Sequence, residues 1–298
     1  MLLTGIHFLL TYQCTLECDH CFVWGSPRQN GVMTLPQIRG VLCQARDLGT
    51  VTSVYFEGGE PFLYYATLLQ AVRAAAELGF EVGIVSNGYW ATSVDDARAA
   101  LQPFAGLVQD LTISSDLFHA EEKMSRKVQN AFTAAGELGI PQGMIAIAQP
   151  GACETATYSG QIAGGESQVM YRGRAAEKLA PRAAGLPWEG LSACPHEDLR
   201  EPGRIHVDPL GNLHLCQGIS LGNVFQEPLR EICARYDPQT HPIAGPLLAG
   251  GPAELVHRYH LPHAAAYADA CHLCDSARRS LRPRFPQILI PDQMYAGG

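Results

Sequence analysis

The sequence predicts an α/β protein: repeated βαβ units around a parallel sheet, followed by a smaller C-terminal part. Three observations predict it. From residue 7 to about residue 171, short apolar runs alternate strictly with longer helical patterns, at a period of roughly 30 residues. Several helical patterns are followed at once by glycine, at Gly49, Gly79 and Gly139, as helix ends require. The chain of 298 residues is 47% hydrophobic and 17% charged, enough apolar surface for a large core and too little charge for a disordered chain.

In order along the chain, His7–Thr11 reads as the first strand. Residues 34–48 follow as a helix, with Thr34 as N-cap and Gly49 as terminator. Ser53–Glu57 is the second strand, and an Ala-rich helix runs over about residues 64–78. Glu81–Val85 is the third strand, with a helix near residues 95–101. Leu111–Ser115 is the fourth, leading to a helix near residues 128–138. Gly143–Ala148 is the fifth strand and Gln168–Tyr171 a weaker sixth. Six units are too few for a closed eight-fold barrel, which leaves an open doubly wound sheet or a partial barrel. Either one places reactive groups at the C-terminal ends of the strands. After residue 185 the pattern changes. Arg204–Val207 and Asn212–Leu215 flank Asp208-Pro209-Leu210-Gly211 as a hairpin, and helical pieces follow near residues 229–236 and 252–260. The expected division is residues 1–185 and 186–298.

The net charge of −8 and the lack of a basic run argue against nucleic acid or anionic lipid as a partner. No basic region precedes Phe8-Leu9-Leu10, and that run is too short for a signal peptide or membrane helix. A cytoplasmic protein is expected. Ten cysteines stand out. A chain this long needs no disulfide staples, and in a reducing compartment closely spaced cysteines point to metal.

Cys14, Cys18 and Cys21 follow the first strand at C-x-x-x-C-x-x-C spacing. Three thiolates on one loop leave a fourth iron of a cubane cluster open to an outside ligand. A zinc site or structural thiols are the plainer readings, though zinc usually draws on a second matching pair. Gly58, Gly59 and Glu60, then Pro61, close the second strand; the glycines let backbone approach a ligand and the acid can accept from an ammonium group. Ser86 and Asn87 stand at the end of the third strand, and Ser114, Ser115 and Asp116, then His119, at the end of the fourth. Asp116 and His119 are candidate general bases. Cys153, after the fifth strand, is a candidate hydrogen-atom donor whose plainer reading is an ordinary loop cysteine.

The three-cysteine loop and Gly-Gly-Glu-Pro, in this order, resemble the radical S-adenosylmethionine superfamily over residues 7 to about 185. The resemblance implies a partial six-stranded (β/α) barrel and a 4Fe–4S cluster on Cys14, Cys18 and Cys21, whose open iron S-adenosylmethionine chelates. It implies that Gly58, Gly59 and Glu60 grip the methionyl amino group, that Ser86 and Ser114 meet the ribose or carboxylate, and that His20 lies beside the adenine.

Cys194, Cys216, Cys271 and Cys274 form a second constellation, able to close either a zinc site or a second cubane. This half resembles the short twitch module, a reduced relative of the SPASM module, in its order of one cysteine, hairpin, one cysteine and distant C-x-x-C. That order is similar to the one in 2-deoxy-scyllo-inosamine dehydrogenases. Arg172 and Arg174, in Arg-Gly-Arg-Ala, resemble the element that precedes such modules. The implied function is radical oxidation of a small polar molecule, with the second cluster as electron acceptor and a flavodoxin- or ferredoxin-type reductant as partner. Alternatives are maturation of a peptide substrate and a zinc-stabilised binding protein without activity. The start of the chain at strand one leaves no room for a leader-binding domain, which counts against the peptide. Cys43 and Cys233 are expected in the core, and His257, His260 and His263 at the surface.

Overall fold

The computed structural model describes residues 1–122, 124–151 and 166–295, and one mixed sheet organises it. Strands β1 (Gly5–Thr11), β2 (Ser53–Gly58), β3 (Glu81–Ser86), β4 (Asp110–Ser114) and β5 (Gln142–Ile145) pair in parallel and in sequence order. Helices α1 (Leu35–Leu48), α2 (Tyr65–Glu77), α3 (Val94–Leu101) and α4 (Arg126–Glu137) make the crossovers. The apolar period of α1 buries Ile38, Val41, Leu42 and Ala45 on one face. At its start the Thr34 N–H donates to Gln37 Oε1 at 2.8 Å, and at its end Gly49 turns left-handed at φ 79°.

The sixth parallel strand is not the expected Gln168–Tyr171. That segment forms no strand, and its neighbour Ser167 makes only an isolated parallel bridge to Ile147. The sixth parallel strand comes from far along the chain and adds to the other edge. After α5 (Arg174–Lys178) and the short β6 (Leu186–Pro187), β7 (Arg204–Val207) pairs in parallel with β1. The expected hairpin then forms, from β7 to β8 (Asn212–Cys216), and a third strand, β9 (Ile219–Asn223), extends it. The sheet order is thus β5-β4-β3-β2-β1-β7-β8-β9. A single sheet runs through residues on both sides of position 186.

The C-terminal helices are α6 (Leu229–Arg235), α7 (Ala244–Tyr259) and α8 (Ala270–Leu281), with the two-residue β10 (Ala266–Tyr267) paired to β6. The backbone of α7 breaks at Gly250 and Gly251, just before Pro252. No helix is long and apolar enough to cross a membrane among the described residues.

The main core lies between the parallel strands and α1–α4. At its centre Phe8 and Phe56, both fully buried, stack with centroids 5.2 Å apart. Phe56→Ala should therefore cost about 3–5 kcal/mol, read as a lowered denaturant midpoint with an unchanged slope. Cys233 is buried as expected, whereas Cys43 is exposed: it sits on α1 outside the apolar stripe and is not a core residue.

Candidate active site

The ends of β1 and β2 are locked together. Gly59 N donates to Thr11 O at 2.7 Å and Glu60 N to Gln13 O at 2.8 Å. A Cβ on Gly59 would stand 2.0 Å from Gln13 O, so only glycine permits this approach. The approach also sets the start of the cysteine loop, which Cys14 N fixes by donating to Ser26 O at 3.0 Å. Arg174 closes the loop from the other side. Its guanidinium donates to Cys18 O at 2.7 Å and Gly25 O at 2.8 Å, while its N–H donates to Cys21 O at 3.0 Å. The three thiols lie close enough for their charges to act on one another. Leu16 N and Asn87 Nδ2 approach Cys14 Sγ at 3.4 and 3.5 Å, and Gly25 N approaches Cys21 Sγ at 3.2 Å. Burial pushes the Cys14 thiol up to about 11 and raises Cys18 further. A thiolate set here needs a positive centre, and the convergent sulfurs with their N–H donors fit an iron–sulfur cluster.

All three cysteines line a cavity of about 950 Å³, together with His20, Gly58, Gly59, Ser86, Asn87, Ser114, His119 and Arg172. Glu60 does not line it. The side chain is buried beneath the loop, where its carboxylate accepts from Phe62 N at 3.0 Å, Ser86 Oγ at 2.9 Å and Asn87 N at 2.8 Å. The acid therefore braces the ends of β2 and β3, and the backbone of Gly58 and Gly59 is what it leaves facing the cavity. Ser86 is likewise occupied, since its hydroxyl also accepts from Trp90 Nε1 at 3.0 Å.

Burial pushes the Glu60 carboxyl from its ordinary 4.5 up to about 7, against the lowering effect of its three donors. Between these values the folded chain holds a proton that the unfolded chain has lost, so this group's contribution to stability falls as pH rises through the window. Thermal melting from pH 4.5 to 7.5 should show that Glu60→Gln removes this part of the slope. An unchanged slope would remove Glu60 as its source.

Asp116 and His119 stand far from His20 in the sequence, and the fold brings the three together. Asp116 is fully buried, with Oδ1 at 2.7 Å from His119 Nδ1 and Oδ2 at 3.5 Å from His20 Nε2. Its oxygens also accept from Phe118 N at 2.9 Å and Ile147 N at 3.0 Å. Burial opposes ionisation, but the two imidazoles hold the carboxyl well below the usual range. A carboxylate can only accept, so His119 donates from Nδ1 and its Nε2 is left able to take a proton. Cys153 lies outside the described residues.

The other four cysteines also converge. Cys194, Cys216, Cys271 and Cys274 line one small space with Arg172 and Arg278. Cys216 ends β8, and Cys271 and Cys274 share the first turn of α8, whose start is capped by Asp269 accepting from His272 N at 2.7 Å. The break in α7 brings Gly251 against the backbone just before Cys194, where a Cβ would stand 2.2 Å from Ala193 N. Burial raises Cys194 and Cys271, and pushes Cys274 up to about 12. Arg172, His196 and Glu197 line both this space and the large cavity. Arg172 Nη1 reaches Glu197 Oε1 at 3.1 Å and Cys216 Sγ at 3.0 Å.

The C-x-x-x-C-x-x-C loop and the glycine-locked β2 end are the marks of one superfamily, and residues 8–146 match the Radical SAM superfamily model. This stretch is a radical SAM domain. The superfamily consists of enzymes that use a 4Fe–4S cluster and S-adenosylmethionine. The chain is 30% identical over 122 residues to YydG of Bacillus subtilis, named for peptide biosynthesis. The match covers 41% of this chain and 38% of that one, so the chain spans about two fifths of that relative. Among solved structures, Streptococcus suis SuiB bound to its precursor peptide SuiA is similar at a TM-score of 0.59 and 12% identity, covering 91% of this chain and 76% of SuiB. BtrN in complex with AdoMet and 2-DOIA is similar at 0.53 and 18% identity, covering 78% of this chain and 82% of BtrN. At these identities the likeness is one of fold: a mostly parallel α/β partial barrel.

Two parts of the site escape sequence reading. His7, Glu57 and His206 also line the large cavity, and no spacing joins residues 7 and 206. Gln217 and Glu197 lie there too, with no motif around them.

Proposed function

We propose that this chain is a radical SAM oxidase whose second cysteine set, Cys194, Cys216, Cys271 and Cys274, holds an auxiliary 4Fe–4S cluster in a twitch-like module over residues 186–298. The observation that carries this reading is the shared wall: Arg172, His196 and Glu197 stand between the four-cysteine space and the cavity of the first three cysteines. A substrate in the cavity would therefore lie between the two metal sites. When bound, the first cluster with S-adenosylmethionine supplies a 5′-deoxyadenosyl radical, and the auxiliary cluster supplies an acceptor for one electron.

The chain's own residues do the rest. Cys14, Cys18 and Cys21 hold the first cluster, with their loop pinned by Arg174, and Gly58 and Gly59 present backbone to the methionyl end. His20 and Ser114, which line the cavity, would meet the adenine and the ribose or carboxylate of S-adenosylmethionine. His119, oriented by Asp116, takes at Nε2 the proton that leaves the substrate as the hydrogen atom and electron depart. The net change is loss of two hydrogens from a C–H/O–H or C–H/N–H pair. A small polar molecule suits the many polar groups of the cavity, among them Gln217, Arg204 and Asp110. A flavodoxin- or ferredoxin-type protein would supply the electron for the first step.

A peptide substrate is the second reading. It is favoured by the relative named for peptide biosynthesis and by the likeness to SuiB, which covers most of this chain. Metal analysis tests the shared core of both readings. Protein reconstituted anaerobically should carry about eight irons per chain. Iron near four with one zinc would sink the electron-acceptor role.

A further inference from the structure

His7 on β1, Glu57 on β2 and His206 on β7 converge on the cavity-lining face of the sheet, and none of them belongs to either cysteine set. Adjacent parallel strands bring them there: His7 is the register partner of Tyr55 on one side and His206 on the other, and Glu57 lies two residues beyond Tyr55 on the same face. Glu57 Oε1 is 3.2 Å from His7 Nδ1 and 2.9 Å from His206 Nε2, and the three ligand atoms lie within 4.8 Å of one another. Tyr55 stacks on the His7 ring at 4.7 Å, which fixes the orientation of that imidazole.

The carboxylate here differs from that of Asp116. Asp116 already accepts from two backbone N–H groups, and so acts as a hydrogen-bond hub. Glu57 is mostly buried, and among the described residues its hydrogen-bond and ion-pair partners are the two imidazoles, with no backbone donor, lysine or arginine. Burial of an anion with only imidazoles for company is costly unless a cation completes the group. The third cluster of such residues, His196, Asp269 and Cys271, belongs to the four-cysteine site.

We propose that His7, Glu57 and His206 form a mononuclear site for a divalent first-row metal ion. Two imidazoles and one carboxylate on one side leave the remaining coordination positions facing the large cavity. An ion there would bind a hydroxyl, amine or carboxylate of the cavity's substrate and orient it as a Lewis acid. The assignment does not depend on the identity of either cysteine-bound group.

The test uses zinc as probe. Anaerobically reconstituted holoenzyme receives one equivalent of zinc, is desalted, and zinc and iron are counted in the same sample. Wild type should retain about one zinc with iron unchanged, Glu57→Gln and His206→Ala each less than about a tenth of that, and Asp116→Asn the wild-type amount. His7→Ala serves as a further variant, and iron content with the melting temperature confirms that each variant folds. The assignment is overturned if wild type retains no zinc, if zinc enters only as iron leaves, or if Asp116→Asn loses it while Glu57→Gln keeps it.

Discussion

Replacement of Cys14, Cys18 and Cys21 together by alanine should end 5′-deoxyadenosine release under strong reductant and remove about four irons per chain. The loop itself should survive the change. Arg174 holds it through the carbonyls of Cys18 and Gly25, and Gly59 and Glu60 hold the preceding turn through Thr11 and Gln13. These are backbone contacts that alanine leaves in place, so the variant should melt close to the wild-type holoenzyme after correction for the lost metal. What disappears is the set of sulfurs, to two of which Leu16 N, Gly25 N and Asn87 Nδ2 are directed. Liquid chromatography of the quenched reaction reads the outcome. Persistent release would show that S-adenosylmethionine is cleaved elsewhere or not by a cluster on this loop.

The parallel sheet was legible because its signals are local: an apolar strand and an amphipathic helix repeat along β1–β5, with a terminating glycine after α1, α2 and α4. The cysteine loop and Gly-Gly-Glu-Pro were legible for the same reason, since each lies within one turn at a strand end. Most of what failed was long-range. Gln168–Tyr171 has a strand-like composition but adds no strand beyond β5, and the sixth parallel strand is Arg204–Val207 on the other edge, beside β1, a pairing between residues about 200 positions apart that no periodicity encodes. Glu60 was read by its motif as facing the ligand, but three donors at the ends of β2 and β3 draw it inward. Cys43 was assigned to the core by residue type; the stripe of α1 runs through Ile38, Val41, Leu42 and Ala45 and leaves it in solvent. His20, Asp116 and His119 were each legible as rim residues, and only the fold joins them.

Cys216→Ala separates the two cysteine sets. The variant should lose about four irons per chain, keep the capacity to release 5′-deoxyadenosine, and fail to yield oxidised product. The reason lies in the geometry of β8. Cys216 ends that strand in the space shared with Cys194, Cys271 and Cys274, and its sulfur is the one that Arg172 contacts, at 3.0 Å. Loss of one of four sulfurs opens the set and withdraws the thiolate that faces the buried guanidinium. The first cysteine loop makes none of its described hydrogen bonds to β8, so its chemistry should continue without an outlet for the second electron. Iron counting and electron paramagnetic resonance of the dithionite-reduced protein distinguish the sets: the signal retained should be the one that changes when S-adenosylmethionine is added. If iron stays near eight, Cys216 is not a ligand. If 5′-deoxyadenosine release vanishes with the iron, the two sites are not independent, and the division between radical generation and electron transfer fails.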